Sequence, residues 1–173
     1  MIKIPASPIS YADKKRNRNI VEYIALHNTG NKGDTAENNG KYFQNGNIRE
    51  AGAHFFIDQK GIVVKSINLN RTAWAVGGER YGDWSITGGA KLYGVATNLN
   101  SVSIELCDII DRDPSEEMIK AVWRTIKYIR KYCPNAQNII RHFDVNGKHC
   151  PQRMMDEGKW NEFQLRLLKE ALA

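Results

Sequence analysis

The chain has 173 residues, enough for one domain with a buried core, and its 42% hydrophobic and 25% charged residues are typical of soluble globular proteins. It contains no run of 18 or more apolar residues, which excludes a transmembrane helix, and residues 1–8 lack the apolar core of a signal peptide. The net charge of +6 favours anionic partners, such as nucleic acid, a membrane surface or a cell-wall polymer.

In the first half of the chain, apolar runs alternate with segments rich in turn-forming residues. Residues 14–18 form a basic run, for which a solvated surface is favoured over a binding patch. The run 19–27 predicts a buried strand that ends at His27. Asp34 then offers an N-cap for a helix that reaches about Gln44, and residues 55–64 predict a β-hairpin.

The second half begins with residues 68–98, which are rich in Gly and aromatic residues, lack periodicity and are typical of a functional loop. A strand follows at 101–106. Asp113 is the predicted cap of a helix with an apolar stripe at Ile119, Val122, Trp123, Ile126 and Ile129. After a short strand at 138–141, a helix from about Lys159 presents Trp160, Phe163, Leu167 and Leu168 on one face. We therefore predict an α/β fold in which a central mixed β-sheet is flanked by helices, as one domain over residues 1–173.

The three cysteines, Cys107, Cys133 and Cys150, show no spacing typical of a disulfide framework. Cys107 and Cys133 lie in apolar patterns and are predicted to be small buried residues. Only Cys150 has neighbours that suggest a metal site.

His142 and Cys150 lie eight residues apart in one loop, and Lys148 lies two residues before Cys150. Imidazole and thiolate are ligands that zinc prefers, and a hydrolytic zinc site needs three protein ligands and one open position. Because sites in such sheets gather where strands end, His27 is the expected third ligand. His54, which opens a predicted strand, remains an alternative to His27.

Four segments, at residues 24–29, 53–58, 100–105 and 141–151, occur in an order that resembles the zinc-dependent N-acetylmuramoyl-L-alanine amidases of the Amidase_2 type. This family shares its fold with peptidoglycan recognition proteins and includes many phage endolysins. The resemblance covers most of the chain, from about Tyr23 to Trp160.

The resemblance implies a role for each matching residue. It places one zinc ion on His27, His142 and Cys150, and it makes Glu105 and Lys148 catalytic. The reaction that the resemblance implies is hydrolysis of the amide bond between N-acetylmuramic acid and L-alanine in peptidoglycan. Glu105 would take a proton from the zinc-bound water and pass it to the leaving nitrogen, while Lys148 would stabilise the oxyanion.

One position departs from part of the family, because Ala53 stands where some members carry a catalytic tyrosine. Activity would then depend on Glu105. If Glu105 lay far from the metal, a non-catalytic peptidoglycan-binding module would be the better interpretation. Cys150 favours the enzyme, because binding-only relatives typically lose this ligand.

Aromatic and arginine residues are candidates for binding the substrate. Trp74, Tyr81, Trp84 and Tyr93 either line a groove or pack the glycine-rich loop, and Arg71, Arg141 and Arg153 are alternative partners for stem-peptide carboxylates. From these we select Trp74, Tyr93 and Arg153 as predicted substrate-binding residues.

The expected partner is peptidoglycan, and the basic charge alone is only a weak argument for nucleic acid. We expect no nucleic-acid or membrane partner and a monomer. The expected place of action is the bacterial cell wall. Without a signal peptide, the chain would reach the wall as a holin-released phage or prophage lysin, or by non-classical export. It would be either a single-domain enzyme or the catalytic portion of a longer lysin.

Overall fold

A six-stranded mixed β-sheet organises the protein, of which the computed structural model describes residues 1–173. The strands are β1 (Ile2–Lys3), β2 (Tyr23–Asn28), β3 (Phe55–Ile57), β4 (Val63–Lys65), β5 (Ser101–Leu106) and β6 (Asn138–Arg141). Their order across the sheet is β1-β4-β3-β5-β2-β6, and every pair is parallel except the β3–β4 hairpin. The predicted α/β class with a mixed sheet is confirmed.

Five α-helices accompany the sheet: α1 (Ala36–Lys41), α2 (Trp84–Thr87), α3 (Glu116–Tyr132), α4 (His142–Asn146) and α5 (Glu157–Leu172). A π-helical turn (Tyr42–Gly46) extends α1, and 3-10 turns lie at Pro8–Ser10, Arg18–Ile20 and Gln152–Met154. Apart from α2, residues 68–98 are irregular, as predicted. No helix combines the length and apolar character needed to cross a bilayer.

The predicted helix caps were wrong by one or two residues. Thr35, rather than Asp34, caps α1, and its hydroxyl accepts a hydrogen bond from Asn38 N at 3.2 Å. Ser115, rather than Asp113, caps α3 through Met118 N at 3.0 Å. Neighbouring Asp, Ser and Thr residues are all competent caps, so the sequence alone cannot choose between them.

Helices α3 and α5 pack over the apolar core of the sheet. The α3 stripe is buried at Ile119, Val122, Ile126 and Ile129, whereas Trp123 is only partly buried. On α5, Trp160, Phe163 and Leu167 are buried but Leu168 is 55% exposed. The prediction for Leu168 was wrong because one further residue turns the side chain about 100° away from the buried face.

The basic run at residues 14–18 is not uniformly solvated. Arg16 is buried, and its guanidinium donates hydrogen bonds to the carbonyls of Leu69, Asn98, Leu99 and Ser101. It therefore ties the N-terminal segment to the loop before β5. Lys14, Lys15 and Arg18 are exposed, as the prediction of a solvated run expects.

Candidate active site

Two histidines meet where β2 and β6 end. In the parallel pair β2–β6, Leu26 lies opposite Arg141, so that His27 and His142 leave the sheet at the same edge. The two ring centres are 4.6 Å apart, and both side chains are buried. The sheet thus brings together the two imidazoles that the sequence places at strand ends.

Cys150 completes a group of three donors, which we call the triad (His27, His142 and Cys150). Their ligand atoms all lie within 4.8 Å of one another, and Cys150 is also buried. Two backbone contacts hold the cysteine in place, since Phe143 N donates to its carbonyl at 2.8 Å and Asn28 N donates to its Sγ at 3.4 Å. Gln152 N then donates to Asn28 Oδ1 at 2.8 Å and anchors the chain that leaves the triad.

Three imidazole nitrogens of the triad make no hydrogen bond within the protein. His27 Nε2 and both ring nitrogens of His142 are buried without a hydrogen-bond partner. Most buried polar atoms are paired, and an unpaired one costs about 1–3 kcal/mol, so such a cluster indicates a ligand.

The protonation equilibria of the triad fit a cation. Burial lowers the pKa of His142 to about 3 and the pKa of His27 well below its ordinary range, so both rings are neutral and offer lone pairs. Burial raises the pKa of the Cys150 thiol to about 12, assisted by the negative charge of Glu105 and partly opposed by the Asn28 N–H and by Lys148. A divalent cation would stabilise the thiolate, and two imidazoles with one thiolate are a donor set that zinc accepts.

Glu105 lies beside the triad on the neighbouring strand. In the parallel pair β2–β5 it is opposite His27, which puts the two side chains on the same face of the sheet. Its Oε2 is buried and has no hydrogen-bond partner. Burial raises the pKa of Glu105 to about 7, partly opposed by the positive charge of Lys148 and assisted by the negative charge of Asp34.

Lys148 lies between His142 and Cys150 in the sequence, and its side chain is exposed. It follows Gly147, which ends α4 with φ +83°. A Cβ on Gly147 would lie 2.8 Å from Trp84 Cβ, so both the backbone conformation and the close approach favour glycine. Lys148 N donates to Asn146 Oδ1 at 3.1 Å, which fixes the path of the loop.

Two clefts meet at the triad. The first cleft, of about 740 Å³, contains His27, Glu105 and Cys150. The second cleft, of about 670 Å³, contains His142 and extends along Gly77, Gly78, Glu79, Arg80, Tyr81, Asn98 and Asn146. Both clefts are lined by Glu50, Trp74, Ala75 and Lys148, so an extended ligand can run past the triad from one cleft into the other.

The residues selected for substrate binding lie in different places. Trp74 lines both clefts. Tyr93 lines neither cleft, and the centre of its ring lies 4.5 Å from Arg80 Cζ. Arg153 donates to Asp113 at 2.7 Å and lines a separate small hollow, so the structure does not bring it to the triad.

Arg141 and Arg71, the other arginines considered as partners for stem-peptide carboxylates, also lie outside both clefts. Arg141 is buried and donates at 2.7 Å to both Asp144 and Glu157, which pins the corner between β6 and α4. Arg71 lies over the ring of Tyr11, with its Cζ 5.5 Å from the ring centre. Neither residue lines a cleft.

His54 is buried apart from the triad, and its nitrogens are engaged. Ser103 N donates to His54 Nδ1 at 3.1 Å, so the proton of the neutral ring lies on Nε2, which donates to Arg71 O at 3.1 Å. Burial, together with the adjacent Arg16 guanidinium, lowers the pKa of His54 to about 3. The structure therefore groups His27, and not the alternative His54, with His142 and Cys150.

Sequence reasoning missed several polar residues of the clefts. They are Asn28, Asp34, Arg49 and Glu50 in the first cleft, and Glu50, Glu79 and Arg80 in the second. Asn28 follows His27 directly, so the strand-end argument that found His27 also applies to it. Arg49, Glu50, Glu79 and Arg80 lie in irregular segments, where no periodicity indicates which side chains face a cleft.

Comparison with known proteins places the chain in a family. The model of the N-acetylmuramoyl-L-alanine amidase family, Amidase_2, matches residues 16–153. Two proteins of Bacillus subtilis (strain 168) are similar. The amidase XlyB is 28% identical over 168 residues (95% of this chain and 47% of XlyB), and the amidase CwlA is 30% identical over 164 residues (92% and 54%). The chain thus spans about half the length of these relatives.

Solved structures show the same fold. PlyL superimposes with a TM-score of 0.72 and 25% identity, covering 96% of each chain. The PlyG catalytic domain superimposes with a TM-score of 0.72 and 25% identity, covering 99% of this chain and 95% of the domain. From its sequence match over residues 16–153 and from this fold, the chain belongs to the Amidase_2 family of N-acetylmuramoyl-L-alanine amidases.

Proposed function

We propose that this chain hydrolyses the amide bond between the lactyl group of N-acetylmuramic acid and the L-alanine of the peptidoglycan stem, with one zinc ion held by the triad. One observation carries the proposal: two buried histidines with unpaired ring nitrogens lie with a buried cysteine beside a buried carboxylate whose pKa is about 7. The similarity to XlyB and CwlA, both named as N-acetylmuramoyl-L-alanine amidases, supports the reaction class.

The ligands of the proposed zinc ion are His27, His142 and Cys150. Three protein ligands leave one position open for water or substrate, which distinguishes a catalytic zinc site from a structural one. A bound zinc ion lowers the pKa of a coordinated water to about 7 and so supplies a nucleophile at neutral pH.

Glu105 is the proposed general base and acid. With a pKa of about 7, it has an appreciable population of both protonation states near neutral pH. It accepts a proton from the attacking water and delivers that proton to the nitrogen of the departing L-alanine. Its position opposite His27, at the wall of the first cleft, puts the carboxylate next to the triad.

Lys148 is the proposed stabiliser of the oxyanion. It lines both clefts at their junction, and its positive charge contributes to the lowered pKa of His27 and of His142. The same charge therefore acts on the space beside the triad, where the carbonyl oxygen of the scissile amide becomes negative.

Trp74 is the proposed contact for the substrate beside the scissile bond, because it lines both clefts. Arg153 and a direct contact from Tyr93 stay predictions from the sequence. Peptidoglycan is the proposed substrate and the bacterial cell wall the proposed place of action. The net charge of +6 would draw the protein to anionic wall polymers. The single domain, the monomer and the absence of a nucleic-acid partner stay predictions.

The proposal is tested by mass spectrometry of purified peptidoglycan after digestion, with and without a chelator. We expect stem peptides with a free L-alanine amino group and glycan chains with free lactyl carboxylates, without new reducing sugar ends. The chelator should abolish this release, and added zinc should restore it. New reducing ends without free L-alanine would identify a glycosidase and contradict the proposal.

The second candidate is a non-catalytic peptidoglycan-binding module, which the alanine at position 53 favours. Sedimentation with insoluble peptidoglycan separates the two candidates. The module predicts that the unmutated chain binds without releasing peptides and that Glu105→Ala binds equally well. The amidase predicts release by the unmutated chain and none by Glu105→Ala.

A further inference from the structure

Arg80 is an arginine in the second cleft with a free guanidinium. Its Cζ lies 4.6 Å from the centre of the Trp84 ring and 4.5 Å from the centre of the Tyr93 ring. No hydrogen bond or ion pair within the protein uses its five N–H groups, although Glu50 and Glu79 line the same cleft. Contacts with two aromatic rings restrict the side chain and leave its donors available.

This combination sets Arg80 apart from the other arginines considered above. Arg141 and Arg153 are held in ion pairs with carboxylates of the protein, and Arg71 lies outside the clefts. Arg49 lines the first cleft without an ion pair, but no aromatic ring contacts its guanidinium. Only Arg80 is at once in a cleft, unpaired and held against aromatic rings.

The second cleft connects Arg80 to the reacting centre. His142 and Lys148 line the same cleft, so a ligand bound at the triad that extends along this cleft meets Arg80. A guanidinium presents its donors as a fork that matches a carboxylate in a bidentate pair. Because the side chain is already restricted, less conformational entropy is lost when that pair forms.

We propose that Arg80 binds a carboxylate of the peptide stem in the second cleft and that the rings of Trp84 and Tyr93 position its guanidinium. This inference rests on the proposed amidase function, since it names a specificity residue for that substrate. The position of Tyr93 also gives its ring an indirect part in substrate binding.

The test uses two soluble muramyl peptides that differ only in whether the stem carboxylates are free or amidated. For Arg80→Gln we expect kcat/KM on the free-acid peptide to fall about tenfold or more, mainly through KM, and kcat/KM on the amidated peptide to stay unchanged. Arg80→Lys keeps the charge but not the fork and should give an intermediate loss. Equal losses on both peptides, or no loss on the free acid, would overturn the inference.

Arg18→Gln is the matched control. Arg18 is also exposed, lies 5.6 Å from the ring centre of Tyr132 and has no ion pair, but it lines neither cleft. This variant removes the same charge and should cleave both peptides as the unmutated chain does. A loss equal to that of Arg80→Gln would show a general charge effect and overturn the inference.

A second pair of variants tests the role of the rings. Tyr93→Phe keeps the ring and should leave the preference for the free acid unchanged, whereas Tyr93→Leu should weaken it severalfold. If Phe and Leu behave alike, the positioning by Tyr93 is excluded.

Calorimetry separates failure of this inference from failure of the amidase proposal. Both peptides are titrated into Glu105→Gln and into the double variant Glu105→Gln/Arg80→Gln. The titration measures binding alone, so it does not depend on hydrolysis. We expect the free-acid peptide to bind about tenfold more weakly to the double variant and the amidated peptide to bind equally to both. If the double variant binds the free-acid peptide more weakly but the unmutated chain does not hydrolyse peptidoglycan, the Arg80 site is upheld and the amidase proposal is contradicted. If both variants bind the free-acid peptide equally and the unmutated chain hydrolyses peptidoglycan, the amidase proposal is upheld and the Arg80 site is contradicted.

Discussion

The protein contains two buried histidine sites that look alike until their hydrogen bonds are compared. At the first, His54 lies in the interior with a pKa of about 3, and its two nitrogens contact Ser103 N and Arg71 O. At the second, His27 and His142 are equally buried and have lowered pKa values, but three of their nitrogens have no partner.

The difference separates the candidate metal site from a structural histidine. Burial lowers the pKa of all three imidazoles, so neither burial nor pKa separates a structural histidine from a candidate ligand. What separates them is whether the ring nitrogens have hydrogen-bond partners. A paired imidazole stabilises the fold, whereas a pair of unpaired imidazoles beside a buried thiol could hold the proposed cation.

The largest expected effect comes from removing one donor of the unpaired site. His142→Ala should lose the zinc ion and reduce peptidoglycan hydrolysis by more than about 10³-fold, because the metal contributes several kcal/mol of transition-state stabilisation. Metal analysis by mass spectrometry and a peptide-release assay measure the two effects. Cys133→Ala, which removes a buried cysteine outside the triad, is the control and should keep both zinc and activity.

The carboxylate beside the unpaired site gives the next effect. Glu105→Gln keeps the shape but cannot exchange a proton, so hydrolysis should fall by about 10²- to 10⁴-fold while zinc stays bound. With both proteins free of zinc, the variant should be no less stable than the unmutated chain at pH 8. The raised pKa of Glu105 means that its ionised form disfavours the folded state at that pH. Loss of zinc together with activity would contradict the proposed role.

At the paired site, the expected effect is on stability. His54→Leu leaves Ser103 N and Arg71 O without their partner, and should lower the free energy of unfolding by about 3 kcal/mol. Urea denaturation measures the change. Metal analysis of the folded variant should still find one zinc ion, and its loss would place His54 at the metal centre after all.

The smallest effect is the pH dependence of stability at the paired site. The pKa of His54 is about 3 in the folded protein and ordinarily 6.5, so the unfolded chain binds the extra proton. His54 therefore contributes stability above pH 6.5 that is lost as the pH falls towards 3. Between pH 7 and pH 5, His54→Gln should lose about 2 kcal/mol less stability than the unmutated chain, with both proteins free of zinc. Equal slopes in urea titrations across this range would contradict the assignment.

The sequence predicts most of the fold because its signals are local. Alternating and helical apolar patterns identify strands β2 to β6 and helices α3 and α5. The first strand is the exception, since Ile2–Lys3 is too short for periodicity. Caps were misplaced where several polar residues compete, as at Asp113 and Ser115.

The triad could be predicted because its histidines lie at predicted strand ends and its cysteine follows His142 at a metal-ligand spacing. Contacts between residues far apart in the sequence could not be predicted. Arg153 reaches Asp113, 40 residues away, and nothing in either segment predicts this ion pair. Arg80 was missed because the loop 68–98 has no repeating pattern, so its contacts with Trp84 and Tyr93 depend on a path that only the folded loop defines.

X-ray absorption spectroscopy of the zinc-loaded protein at the zinc edge tests the proposed ligands of the triad most directly. We expect one zinc ion per chain with two imidazole nitrogens at about 2.0–2.1 Å, one sulfur at about 2.3 Å and one further light atom. Cys150→Ser should remove the sulfur contribution, while His54→Leu should leave the spectrum unchanged. A zinc environment without sulfur, or one altered by His54→Leu, would contradict the assignment of the triad.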